Sequence, residues 1–124
     1  KRIVVGGGAT GDKYFLFQLD DQGAPDPTFG TSGLATGTAM RIDALTLDGS
    51  GRVVVAGRVG QSLGVARFGT DGKPEAGFGS SGFATVGGTL TPQAVLILPD
   101  GRAIVLGVGQ AVADDRLVLT RVWM

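Results

Sequence analysis

Apolar residues in this chain come in short runs broken by Gly, Asp and Ser. Around the middle these runs are "IDALTL" (42–47), "RVVVAGRV" (52–59), "GVARF" (64–68) and "FATV" (83–86). Each is of strand length and rich in β-favouring residues, and the breaks "LDGSG", "GTDG" and "SSG" supply the positive φ that tight hairpins need. The pattern predicts an all-β chain of short antiparallel strands. "VVVA" (53–56) and "VLIL" (95–98) are apolar at consecutive positions. Such runs predict sheets covered on both faces rather than one.

The runs also recur. "RIVVGG" at 2, "RVVVAG" at 52 and "RAIVLG" at 102 are one strand written three times, fifty residues apart. "GAPDPTFGTSGLAT" (23–36) matches "GKPEAGFGSSGFAT" (72–85), and "DALTLDGSGR" (43–52) matches "QAVLILPDGR" (93–102), without gaps. Four antiparallel strands in about fifty residues is the period of a β-propeller blade. The expected fold is therefore an antiparallel β-propeller segment of about two and a half four-stranded blades. Residues 1–41 would form a partial blade, 42–91 a complete one and 92–124 another partial one. The opening "KRIVV" reads as mid-strand, so the segment is expected to be the C-terminal part of a larger propeller.

"LILPDGRAIVLG", with the linked "GVARFGTDGKPEAGFGSSGFAT", resembles the bacterial delta-60 repeat, itself similar to the NHL-type propeller blade. Pro99-Asp100-Gly101-Arg102, Val54 to Gly57, Ala66-Arg67-Phe68, Asp71-Gly72 and Phe78-Gly79 stand at the matching places. The first copy departs from the pattern with "LDGSG" (47–51), and the third has a longer loop before Arg121. The resemblance implies a propeller within an exported or surface bacterial protein, and carries no shared activity with it.

Composition narrows the chemistry. Lys and Arg number 11, as do Asp and Glu, with no basic cluster, so the electrostatic footprint of a nucleic-acid binder is missing. There is no Cys and no His, which removes the thiolate nucleophile and the commonest general base and metal ligand. No apolar run approaches the roughly 20 residues of a membrane helix. "GGGATGDK" (6–13) has the G-x-G-x-x-G spacing of a phosphate-cradling loop. That chemistry needs a helix N-terminus after the glycines, whereas "KYFLFQL" reads as a strand. The stretch is expected to be a turn, and neither a cofactor nor a metal is expected.

Asp20-Asp21, Asp48, Asp71 and Asp100 read as turn chemistry. Arg2, Arg52 and Arg102 read as a structural ladder, and Arg67 and Arg121 as partners for an acid of a neighbouring blade. Phe29 and Phe78 are expected to fill the space between blades, and Trp123 to be either core or a stacking platform. Blades that end a partial ring would expose Val, Leu and Ile, so partners are expected on both flanks. These are the remainder of the propeller or identical copies closing a ring, with a missing strand lent by another segment.

The leading functional expectation is a non-enzymatic scaffold that binds a protein or ligand through loops gathered on one face. Those loops are 37–43 and 87–93, with 8–13, 58–63 and 108–115. They bring forward Arg41, Asp43, Arg58, Gln61, Gln93, Gln110, Asp114 and Asp115. The alternatives are a lectin-like or carbohydrate-active propeller taking a glycan, or a piece of an enzyme whose site lies on another chain. Glycoside hydrolysis would need two converging carboxylates, and the chain has one Glu.

Overall fold

A computed structural model describes the backbone of residues 2–86, 90–111 and 114–122, with side chains as far as Val108, Leu90 aside. The described residues form ten strands in three antiparallel sheets. Sheet I is β1 (Ile3–Ala9), β2 (Lys13–Leu19) and β3 (Leu34–Gly37). Sheet II is β4 (Arg41–Leu47), β5 (Val53–Val59), β6 (Ser62–Phe68) and β7 (Phe83–Val86). Sheet III is β8 (Leu90–Ile97), β9 (Ala103–Ala111) and β10 (Asp114–Val122). Within each sheet, strands adjacent in sequence are adjacent in space, as short hairpin connections require. The chain is all-β, and of "GGGATGDK" only residues 10–12 are the turn between β1 and β2, with Gly11 and Asp12 at φ 81° and 56°; Gly6 to Ala9 end β1 and Lys13 begins β2, so no helix follows the glycines.

Sheet II lies between the other two: β4 packs on β1 and β2, and β8 packs on β4, β5 and β6. This explains the unbroken apolar run in β5. Because neighbouring side chains of a strand point to opposite faces, Val53 and Val55 enter one core, with Tyr14, Leu16, Met40, Ile42 and Phe68. Val54 and Ala56 enter the other, with Leu63, Val65, Val95 and Val105. Val53 through Ala56 are fully buried. Phe29 plugs the first core and Phe78 the second. Tyr14 sits among Phe68 and Phe83, its ring centroid 5.2 and 6.1 Å from theirs, and burial raises its pKa.

The connections before β3 and β7 fold alike. Gln18 N donates to Gly33 O, and 49 residues later Arg67 N donates to Gly82 O. Asp26 N to Gln18 O is matched by Glu75 N to Arg67 O, each 2.9 Å. The hairpins that follow turn on Ser32-Gly33 and Ser81-Gly82, with φ of 53° and 89° in one and 53° and 95° in the other. Two successive positive φ values are those of a type I′ turn, whose twist suits a hairpin, and Gly at the second position adopts them without strain.

The strands run further than the apolar pattern indicates. Arg41, Asp43 and Arg58 lie on strands rather than in loops, as do Gln93, Gln110, Asp114 and Asp115, leaving Gln61 alone of the eight in a turn. Asp43 and Arg58 already fall inside the runs 42–47 and 52–59; for the others the hydrogen-bonded ladder continues through polar residues where an apolar count stops. Trp123 lies outside the described residues.

Candidate functional site

Three of the expected residues come together at one end of sheet II. Arg41 and Arg58 are direct cross-strand partners of β4 and β5. Like charges so placed repel, and Asp43 lies between them. Asp43 is the residue left out of register where β4 bulges between Ile42 and Ala44. Its Oδ1 lies 3.2 Å from Arg41 Nε and its Oδ2 3.6 Å from Arg58 Nε. The Asp43 side chain is 13% exposed and that of Arg41 47%, so the carboxylate sits under an arginine that reaches solvent. Asp43 Oδ2 and Arg58 Nε are buried and make no hydrogen bond, so the second pair is ionic only. Alongside, Asp12 Oδ2 accepts from Gly60 N at 2.9 Å, tying the β1–β2 turn to the β5–β6 turn.

Gln61 is exposed in that β5–β6 turn. Gln93 is the bulged residue of β8, between Pro92 and Ala94, in the place Asp43 takes in β4. Gln110 and Asp115 are register partners at the β9–β10 hairpin, and Asp114 pairs with Ala111. Only the backbone is described for these last residues. The cluster thus offers guanidinium donors beside one committed carboxylate. Among the described residues no three acidic side chains converge as metal ligands.

A cleft lies at the opposite end of sheet II. Its volume is about 540 Å³, and it separates the β4–β5 turn from the β8–β9 turn, lined by Leu47, Asp48, Ser50 and Arg52 on one side and Ile97 and Leu98 on the other. Arg52 Nε donates to Asp48 Oδ2 at 2.6 Å and Arg52 Nη1 to Glu75 Oε1 at 3.2 Å. At the matching position between sheets I and II, Arg2 Nη1 donates to Gly51 O at 2.7 Å, so there the arginine spans the two sheets. Sequence reasoning passed over this end because Asp48 and Asp100 were already explained by their turns. Both carboxylates do accept from turn amides. The recurring Arg2, Arg52 and Arg102 were the signal for this end, read in the sequence as a structural ladder only.

No family model matches this chain, and no curated protein or solved structure is similar enough to be matched with it. The site is therefore read from its own residues. Partial burial would by itself raise the Asp48 pKa. It is outweighed by the backbone N–H and guanidinium of Arg52, then the Ser50 N–H, which leave the carboxyl below its usual value. A carboxylate depressed in the folded state stabilises above its unfolded pKa, and that stability is lost as pH falls through the folded value. The expected result is a urea midpoint that declines below about pH 4, the ordinary carboxylate range. Asp48→Asn removes part of that slope, and equal slopes for the two chains contradict the assignment.

Proposed function

We propose that the chain is a segment of a β-propeller assembled from delta-60-like modules, acting as a non-enzymatic scaffold that binds a protein or ligand. What supports this reading is the contrast between the sheets. Sheet II has apolar residues on both faces, and sheets of its own kind cover both. The outer face of sheet I is apolar as well: Ile3, Val5, Phe15 and Leu34 are 37–48% exposed. On the outer face of sheet III, Leu96 is 61% exposed. The register makes these continuous patches, since Val5 lies opposite Phe17, Phe17 opposite Leu34, and Leu96 opposite Ile104. Contiguous apolar patches of this kind mark interaction surfaces. Covering them is favoured by about 25 cal/mol per Å² buried, and further sheets of the same kind, from the same protein or from copies of the chain, are the covering. The turn end agrees with the scaffold side of the reading, since Asp43 there is paired with two arginines.

Light scattering on the purified chain tests the reading. The expected particle is heavier than one 12.5 kDa chain, and Val5→Lys and Leu96→Lys, both at exposed positions, each reduce its mass. A monodisperse single chain that binds no apolar dye overturns it.

A further inference from the structure

β4 and β8 bulge at the same point, and a glycine faces each bulge: Ile42 pairs with Gly57, and Pro92 with Gly107. The residues around the two bulges differ. In sheet II the adjoining pair is Arg41 and Arg58, and the bulged residue is Asp43. In sheet III the corresponding pair is Thr91 and Val108, and the bulged residue is Gln93. Sheet III thus forms the same bulge with no charge at any of the three positions. Two arginines placed opposite each other across paired strands are destabilising, so the needs of the backbone do not account for them.

Arg41 is held from two sides. Its carbonyl crosses Gly57 so closely that a Cβ there has no room, and its stem lies over Gly8 of β1. A Cβ on Gly8 would fall within that stem, against Cγ and 3.2 Å from both Cβ and Cδ. Asp43 then sets the charged heads. Arg41 Nε donates to its Oδ1 at 3.2 Å, and Arg58 Nε lies 3.6 Å from its Oδ2. Both guanidinium groups are therefore taken by Nε, and their Nη groups have no partner among the described residues. Of Arg58 only Nε is buried without a hydrogen bond, so the outer edge of its fork is open to solvent. The Arg41 side chain is 47% exposed. Two cations sharing one carboxylate leave the cluster with one positive charge in excess.

We infer that the Nη edges of Arg41 and Arg58 form a seat for one carboxylate of a peptide. Two planar forks on paired strands can each give charge-assisted bonds to the two oxygens of a single carboxylate. Its one negative charge matches the excess, which a phosphate dianion would overshoot. Asp43 is a positioning residue, holding the forks by Nε and leaving Nη outward. That the carboxylate belongs to a protein partner rests on the scaffold reading above.

The probe is a hexapeptide, N-acetylated and C-amidated, with one Glu among alanines. A Gln version removes the carboxylate, and a Gln version with a free C-terminus moves it to the chain end. The Nε–H signals of Arg41 and Arg58 in NMR spectra are expected to shift saturably with the carboxylated peptides and not with the Gln amide. The tighter of the two carboxylated peptides identifies the source. Arg41→Gln is expected to weaken binding by about tenfold or more, the loss of a charge-assisted bond, with the urea midpoint little changed. Gly8→Ala keeps all three charged groups and displaces only the Arg41 stem, and is expected to weaken binding several-fold. Arg41→Thr, Asp43→Gln and Arg58→Val together copy sheet III, and are expected to abolish binding with a urea midpoint no lower than the parent's. Equal shifts with the Gln amide, or undiminished binding by Arg41→Gln, overturn the inference. So does a triple variant that unfolds more readily than the parent, where the parent's arginine signals ignore every carboxylated peptide; the charges then belong to the fold. A chain that associates through its outer faces but ignores the peptides keeps the scaffold reading and loses the carboxylate seat. A single-chain particle that binds them does the reverse.

Discussion

Gly57→Ala is expected to cost more than about 3 kcal/mol, above the usual range for one added methyl. The new Cβ would lie 1.6 Å from Arg41 O and 3.0 Å from Ile42 Cα. These are backbone atoms, so no rotamer change relieves the clash. The bulge must be undone or β4 must leave β5. β4 packs on β1 and β2 on one side and, with β5 and β6, on β8 on the other, so its displacement loosens both cores together. Gly60→Ala is the control. It places a methyl at φ 62° in a turn, with nothing within 4 Å, and carries only the cost of left-handed backbone, about 1–2 kcal/mol. Urea unfolding of the three chains separates the cases, and a Gly57→Ala midpoint no lower than that of Gly60→Ala contradicts the crossing-backbone account.

The same glycine shows what could be read without coordinates. Its recurrence at 7, 57 and 107 is plain in the sequence, and the two-sided burial of Val53 to Ala56 follows from four apolar residues in succession. The strands at 34–37 and 83–86 are found where the Ser-Gly turns place them. Which atom forbids a side chain at 57 was not legible, because the reason lies in a bulge of another strand. The grouping of Arg41, Asp43 and Arg58 was legible as membership of one end of the sheet. That Asp43 fills the gap between two facing arginines depends on its falling out of register, which spacing alone does not reveal. The partner of Arg67 was misjudged. An acid on a neighbouring sheet was expected, and the acid is Glu75, eight residues on, in the connection that folds back along β6. Backbone bonds local to that connection carry Glu75 to it, and an apolar pattern contains no trace of them.

Glu75→Gln is the second substitution with a large expected effect. Arg67 is 9% exposed, its guanidinium carbon 5.2 Å from the Phe78 ring centroid, and its Nη2 donates to Glu75 Oε1 at 2.9 Å. Arg52 reaches the same oxygen at 3.2 Å. Neutralising Glu75 leaves two guanidinium groups facing one another, with only Asp48 as counter-charge and one of the two desolvated. Breaking a fully buried pair costs about 3–5 kcal/mol. Glu75 keeps 29% of its side chain in solvent, and screening lowers the expectation to about 2–3 kcal/mol. Sheet I shows the neutral version of the same arrangement: Gln18, 2% exposed, accepts from Arg2 and donates to Asp26 Oδ2 at 2.6 Å. Arg67→Gln should therefore be tolerated better than Glu75→Gln, and the double substitution should recover most of the loss. The double-mutant cycle in urea is expected to give a coupling of at least about 1 kcal/mol. Additive effects would mean that Arg67 is held by Phe78 and the surrounding core, with the carboxylate contributing nothing. The cation–π contact is worth about 0.5–2 kcal/mol, too little to hold a nearly buried guanidinium by itself, which is why coupling is the expected outcome.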